Sequence, residues 1–425
     1  MAASEKLQGD SLEAAGPGPG ESLSRTTRKA LAKISDRPAP DKARFLLFNG
    51  FFASTLILLH VGFQILPSPF WFFGSTQHIF WRSILHTKTM FAQLLIYISQ
   101  TFGPTKIILT SEGKDLDLSA IVKRDAKGKV IHLTLPERSI ILANHQVYCD
   151  WSYIWNLLYF AELHNAIVII LKKSLKWIPI VGPAMQMFQF IFLSRSWDAD
   201  QSVLKRQIGK MAAKAQESSE PLSLLIFPEG NLVSQLSRPI SKKYADKSGI
   251  ADMKHQILPR STGLLFCLRA LAKEVPSLSV IDITIGYEGI PEGDYGQDYY
   301  SLQSIFGAGQ SPPAVHMHVR TFKASELPLG HDLTEADHAT PEERKIFDDW
   351  VRSRWQEKDH LLGRFYAKGS FIEGKRGVSK VTEAYGPISI PIEAKTSKDT
   401  NILLGSCIPG AIMIAALTKY LIYGF

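Results

Sequence analysis

Two long apolar runs, one near each end of the chain, limit what the residues between them can fold into. Residues 45–66 are interrupted only by Asn49, Ser54, Thr55, His60, Gln64 and two glycines. Residues 402–423 carry a few small polar side chains and one charge, Lys419. A helix of ~20 residues rises ~1.5 Å per residue and reaches ~30 Å, the thickness of a bilayer's hydrocarbon core. Each run is therefore expected as a spanning helix. Pro67 and Pro69 end the first, and Phe70, Trp71, Phe72 and Phe73 form an aromatic anchor of the kind found at a membrane interface. A weaker apolar stretch follows at residues 90–102. Seven lysines and arginines from Arg25 to Arg44 put the N-terminal flank on the cytosolic side. The central region is basic too and is expected on that same side, so residues 43–110 are expected to enter the membrane and return as a hairpin.

Composition fits a sizeable core beside these ends, with 45% hydrophobic and 21% charged residues. The net charge of +8 points to anionic partners such as phosphate groups or an acidic membrane surface. Nucleic acid is not expected, because no recognisable binding module accompanies the charge. The three cysteines, Cys149, Cys267 and Cys407, lie far apart with no CxxC pair. That excludes a disulfide framework or zinc cage and fits a reducing cytosolic exposure. Residues 1–42 are rich in Gly, Ala, Pro, Ser and charge and read as a disordered basic region without an ordinary secretory signal.

Between the ends, short apolar runs alternate with helical patterns. Strands are expected at 130–135, 139–143, 166–171, 190–193, 222–227, 280–287 and 315–322. Helices are expected at 146–161, 200–215, 259–273 and 341–366. This alternation predicts an α/β fold with a mixed or mostly parallel sheet flanked by helices. The predicted order is a disordered region at 1–42, membrane-associated helices at 43–110, a central domain at 111–373, a linker at 374–400 and a C-terminal transmembrane helix at 401–425.

Three stretches carry chemistry. In the first, an apolar strand ends at Asn144 and His145, and Asp150 follows five positions after the histidine. An aspartate on the first turns of a helix can fold back onto one ring nitrogen. The other nitrogen is then free to take a proton from a hydroxyl. In the second, the apolar run from Leu224 ends in Phe227, Pro228, Glu229, Gly230 and Asn231, bringing a carboxylate and backbone amides to a sheet edge. In the third, Lys172, Lys173 and Lys176 precede Pro179 and Gly182, and the segment runs on to Arg195. Cations flanking an apolar segment suit a phosphate gripped beside a hydrophobic groove.

Together these stretches resemble the glycerolipid acyltransferases of the 1-acylglycerol-3-phosphate type. The shared order is Asn-His-x4-Asp, a Lys-Lys…Pro…Gly…Arg block and Phe-Pro-Glu-Gly, over roughly residues 130–290. The branch with lysocardiolipin and lysophosphatidylinositol acyltransferases is the most similar, through a helix carrying Trp350, Arg354, Lys358, Asp359, Leu361, Leu362, Phe365 and Tyr366. The resemblance implies His145 as general base and Asp150 as its orienting partner. It implies Asn144, Lys172, Lys173, Arg195, Glu229, Gly230 and Asn231 as substrate-binding residues. Asn231 stands where the family usually has Thr, and Pro259 with Arg260 resembles a later family segment. The implied co-substrate is acyl-CoA, the acceptor is a lysophospholipid such as lysophosphatidic acid or lysophosphatidylinositol, and neither cofactor nor metal is expected. The implied place is the endoplasmic reticulum membrane, catalytic domain toward the cytosol. Two readings from other classes stand beside it: a non-catalytic lipid-binding scaffold, and a metal-assisted lipid hydrolase using His145, Asp150 and Glu229.

Overall fold

The computed structural model describes residues 31–111, 116–336, 338–372 and 386–423. Helix α1, Lys42–His60, starts at Asp41, whose carboxylate accepts the Arg44 N–H, and runs on through Val61–Ile65. Helix α2, Gln77–Phe102, doubles back against it: Phe48 packs on Phe102, Phe51 on Tyr97, and the Ser83 hydroxyl donates to the Phe63 carbonyl. These pairings make the expected hairpin. Only its first arm, Lys42–Ile65, is long and apolar enough to cross a membrane. The second arm begins well before residue 90, contains Arg82 and Lys88, and buries Leu94, Leu95, Ile96 and Ile98 in the protein core. The C-terminal helices α10 (Ser397–Gly405) and α11 (Ile408–Tyr423) make up the second candidate span, Ser397–Ile422. Gly62 and Gly410 let α11 approach α1: a Cβ on Gly410 would sit 2.1 Å from the Leu58 carbonyl oxygen. Small residues permit such close helix crossings in a bilayer, where dispersion replaces the hydrophobic effect as the driving force.

The sheet between these ends has strands β1 (Lys106–Thr110), β4 (Arg138–Ala143), β5 (Ile167–Lys172), β6 (Ile191–Leu193), β7 (Leu222–Ile226), β8 (Ser279–Tyr287), β9 (Val315–Lys323) and β10 (Ile388–Pro391). Their order is β10-β1-β9-β8-β4-β7-β5-β6. It is mixed: β8 with β9 and β1 with β10 are antiparallel, and the other pairs are parallel. The parallel centre explains the runs without alternation, since every residue of β7 is buried, as expected where helices cover both faces. Helices α4 (Asp150–Phe160), α5 (Val181–Met187), α6 (Trp197–Glu217), α7 (Ser237–Ser248), α8 (Thr262–Glu274) and α9 (Pro341–Lys368) complete it, along with a short turn of helix α3, Leu118–Ile121. Helix α9 has both boundary signals: a Thr340–Glu343 capping box with Pro341 at the first helical position, and Gly369 closing it at φ +75°.

The boundaries differ from expectation in four places. The run at 130–135 becomes β3, Val130–Leu133, paired with β2, Val122–Arg124, in a separate ribbon. Residues 106–110, assigned to the membrane-associated helices, form β1 inside the sheet. The expected linker contains edge strand β10, with Lys106 opposite Pro391 and Leu109 opposite Ile388. Residues 31–41, expected as disordered, dock on the domain: Leu31 N–H donates to Gly289 O, and Arg37 donates to the Gln310 side chain. Residues 1–30, with the disorder expected there, lie outside the described residues. The ribbon is a local hairpin, whereas the other three corrections concern short runs whose partners are far away in sequence, where periodicity has nothing to register.

Candidate active site

Strand β4 delivers His145 to the C-terminal edge of the sheet, and α4 begins five residues later at Asp150. The Asp150 carboxylate is fully buried and accepts from four donors. Its Oδ2 takes the His145 ring Nδ1–H at 2.8 Å and the N–H groups of Gln146 at 2.6 Å and Val147 at 3.1 Å. Its Oδ1 takes the Tyr287 hydroxyl, from the end of β8. With Nδ1 committed as donor, the His145 Nε2 is the acceptor nitrogen. Phe227 stacks on the imidazole at 4.3 Å between ring centres and fixes its plane. The histidine side chain is still 20% exposed, against 0% for Asp150, and it lines a cavity of about 1050 Å³.

The cavity runs between α1 and the sheet edge. Leu56 and Leu59 of α1, Trp151 and Trp155 of α4, and Phe188 and Phe190 line an apolar arm. Arg195 and Arg260 supply positive charge to the same cavity. Arg195 sits at φ +69°, a backbone conformation held by Asp200, whose carboxylate accepts the N–H groups of Ser194, Arg195 and Ser196 and the Ser194 hydroxyl. Partial burial and then the neighbouring Arg260 push the Arg195 guanidinium below its ordinary value. Neither arginine has a carboxylate partner among the described residues, so the pair is poised for an anion from outside.

A strained turn shapes the wall opposite. The Val181 N–H donates to Pro179 O at 2.7 Å around Ile180, which stands at φ +65° and ψ −56°. This is the γ-turn form that L-residues seldom adopt, and rarest of all for a β-branched side chain. Gly182 permits it, because a Cβ there would lie 2.3 Å from the Lys176 carbonyl oxygen.

Of the residues expected to touch substrate, Lys172, Arg195, Gly230 and Asn231 line the cavity with His145. Three do not. Asn144 is fully buried and spends its amide on β8, donating to Ile285 O at 3.0 Å and accepting from Ile285 N at 2.7 Å. Its task is to lock the strand end that carries His145. Lys173 is exposed on the turn after β5 and is not among the residues lining the cavity. Glu229 is 2% exposed and faces inward, where it accepts the His145 N–H at 3.0 Å, the Trp355 indole N–H at 3.4 Å and the Ile257 N–H at 3.4 Å. Burial pushes its carboxyl up to about 8 despite those donors. It is a clamp joining β7, α9 and the His145 loop.

Sequence reasoning missed Tyr287, Arg260 and Trp355 as parts of the site. Strand β8 is buried almost throughout, so its sequence gives no sign that its last tyrosine reaches Asp150. Arg260 was noted only as part of a motif. The branch-specific helix has a structural explanation: Lys358 of α9, fully buried, bonds Asp282 at 2.5 Å and Ile283 O at 2.7 Å, and Asp359 accepts the N–H groups of Lys254 and His255.

An acyltransferase family model matches residues 129–288, the segment that holds all three chemical stretches. The chain is 34% identical over 328 residues to 2-acyl-1-lysophosphatidylinositol acyltransferase of Saccharomyces cerevisiae, covering 70% of this chain and 79% of that one. It is 32% identical over 238 residues to lysocardiolipin acyltransferase 1 of Gallus gallus, covering 56% of each. Among solved structures it is similar to the 1-acyl-sn-glycerophosphate acyltransferase PlsC of Thermotoga maritima, with TM-score 0.39, 15% identity and 75% and 95% coverage of the two chains.

Proposed function

We propose, from the premise that this chain belongs to the glycerolipid acyltransferase family, that it transfers an acyl group from acyl-CoA to the free hydroxyl of an anionic lysophospholipid. The observation that carries this reading is the His145–Asp150 pair opening onto a cavity with one apolar arm and two unpaired arginines. The acceptor hydroxyl sits at His145 Nε2. As its oxygen attacks the thioester carbonyl, Nε2 takes the proton, and buried Asp150 stabilises the imidazolium that forms. Asn231, in the turn on the cavity wall, supplies N–H donors to the developing oxyanion, the Gly230 N–H being bonded to Phe227 O. Collapse breaks the carbon–sulfur bond, and the imidazolium returns its proton to the leaving CoA thiolate. No acyl-enzyme is involved. Cys149, inside the motif, is fully buried, and burial raises its thiol well above the ordinary range, the wrong direction for a nucleophile.

Arg195 and Arg260 hold the phosphate of the acceptor in this reading, while the apolar arm takes an acyl chain. Lysophosphatidylinositol is the acceptor suggested by the yeast relative's name, and lysophosphatidic acid and lysocardiolipin are its neighbours in chemistry. The two candidate spans suit an integral membrane protein. The endoplasmic reticulum, with the site facing cytosolic acyl-CoA, is the compartment this reading assigns.

The test is acyl-CoA consumption by membranes containing the protein, against a panel of lysophospholipids, with His145→Ala at equal expression. Acylation of an anionic lysophospholipid that vanishes in the variant supports the proposal. No consumption of acyl-CoA with any acceptor overturns it.

A further inference from the structure

Helix α7 is built the wrong way round for a helix on a water-exposed surface. Its inward residues are small and mostly polar: Ser237, Ser241 and Ala245 are all buried. Ser241 donates to Asp252 at 2.7 Å and accepts the Leu258 N–H, and the Ser237 hydroxyl donates to Leu232 O. Arg238 adds bonds to the carbonyls of Met253 and Gln256. Hydrogen bonds, not apolar burial, therefore fasten this helix to the domain. The outer face carries the large apolar side chains. Leu236 is 83% exposed, Ile240 65% and Tyr244 57%, spaced four apart in one stripe. At ~100° per residue, Lys243 and Lys247 fall on the same side as that stripe, and neither has an acidic partner among the described residues.

Water does not favour such a face, and apolar stripes of this kind normally mark a contact surface. The stripe begins beside the active site, since Leu232, which anchors Ser237, lines the cavity. Another part of the cavity lining repeats the chemistry. Ile178 lines the cavity and is exposed, and neighbouring Trp177 is 77% exposed with Lys176 lying 5.8 Å from its ring centre. A third side of the cavity is α1, itself a candidate membrane span. The lysines discriminate between occupants. A second copy packed symmetrically would bring Lys243 and Lys247 against themselves, whereas an anionic lipid surface neutralises them.

We infer that α7 lies in the plane of the membrane interface, with Leu236, Ile240 and Tyr244 inserted among lipids and Lys243 and Lys247 at anionic head groups, as a lateral footing for the cavity mouth. The inference rests on the lipid-acylating reading for its purpose but not for its geometry. Bound this way, the rim meets the bilayer where a lysolipid resides, so acceptor reaches His145 without crossing water.

The test uses the full chain reconstituted in anionic phospholipid vesicles. Ile240→Cys, in a Cys407→Ser background, is labelled with an environment-sensitive fluorophore; Cys149 and Cys267 are fully buried and stay unlabelled. The apolar face of an in-plane helix sits ~5–10 Å below the head groups, so lipids spin-labelled near the top of the acyl chain should quench the label at least roughly twofold. A second reading compares Lys243→Glu/Lys247→Glu, which should weaken that quenching in anionic vesicles. A label quenched only by an aqueous quencher overturns the inference, and so does one shielded from both quenchers, which would place protein there. Turnover is not the readout: an inactive protein with a lipid-quenched label would sink the proposed reaction and leave this footing intact.

Discussion

Asp150→Asn isolates what the buried carboxylate does for His145. The substitution is nearly isosteric, and the geometry dictates how the amide sits. Two backbone N–H groups, from Gln146 and Val147, point at Oδ2 together with His145 Nδ1. The amide oxygen must occupy that position, since an NH₂ there would face three donors. The Tyr287 hydroxyl at the other oxygen can rotate to accept from the new NH₂. The His145 tautomer is therefore preserved and only the charge is lost. Hydrogen bonds to a charged group contribute roughly 1.5–3 kcal/mol against roughly 0.5–1.5 for neutral ones, a difference of about 1–1.5 kcal/mol or ~5–13-fold in rate. Coulomb's law sets the upper side, about 4 kcal/mol for unit charges ~4 Å apart at an effective dielectric of ~20, or ~1000-fold. Turnover should fall within that bracket, measured as acyl-CoA-dependent acylation in vesicles with unfolding temperature followed in parallel. A loss under about threefold in folded protein would mean that Asp150 does not act on the imidazole. A loss of ~10⁴, the size expected for a wrong tautomer, would refute the claim that the backbone fixes the amide.

Further outcomes follow from the same site. His145→Ala should lower turnover by at least ~10²–10⁴ with little change in unfolding temperature, because the ring is part-exposed and only Nδ1 is bonded. For Glu229, whose folded value near 8 lies above the ordinary 4.5, the native state holds a proton that the unfolded chain has released. Its stabilisation is fullest below 4.5 and is lost as pH rises through about 8, so Glu229→Gln should flatten the fall in unfolding temperature across that window. Arg260→Ala should raise KM for an anionic acceptor more than roughly tenfold, by loss of a charge-assisted contact worth about 1.5–3 kcal/mol, with a smaller change in KM for acyl-CoA. Cys149→Ala should keep turnover within a few-fold and cost about 1 kcal/mol of stability as a small buried deletion, read by thermal melts.

The site illustrates how a sequence can name residues without saying which way they face. The spacing of His145 and Asp150 was readable because both ends of their hydrogen bond lie within one strand-to-helix turn, and local geometry decides it. The candidate spans, the parallel core strands and the capped helix α9 were readable for the same reason: length, unbroken apolar runs and capping chemistry are local properties. Asn144, Glu229 and Lys173 sit in equally legible motifs, yet the fold turns the first two inward and leaves the third outside the cavity. Their orientation depends on where β8, α9 and residues 254–257 arrive, and those lie roughly 30 to 140 residues away. Strands β1 and β10, Tyr287 on Asp150 and Trp355 on Glu229 are likewise products of long-range pairing. The inverted face of α7 is legible only once burial is known, because a stripe of Leu236, Ile240 and Tyr244 reads in sequence as the side facing a core. Local chemistry thus determined the His145–Asp150 pair and the two candidate spans. Only the tertiary structure decided which of the remaining motif residues meet substrate, because a side chain's direction is set by what packs behind it.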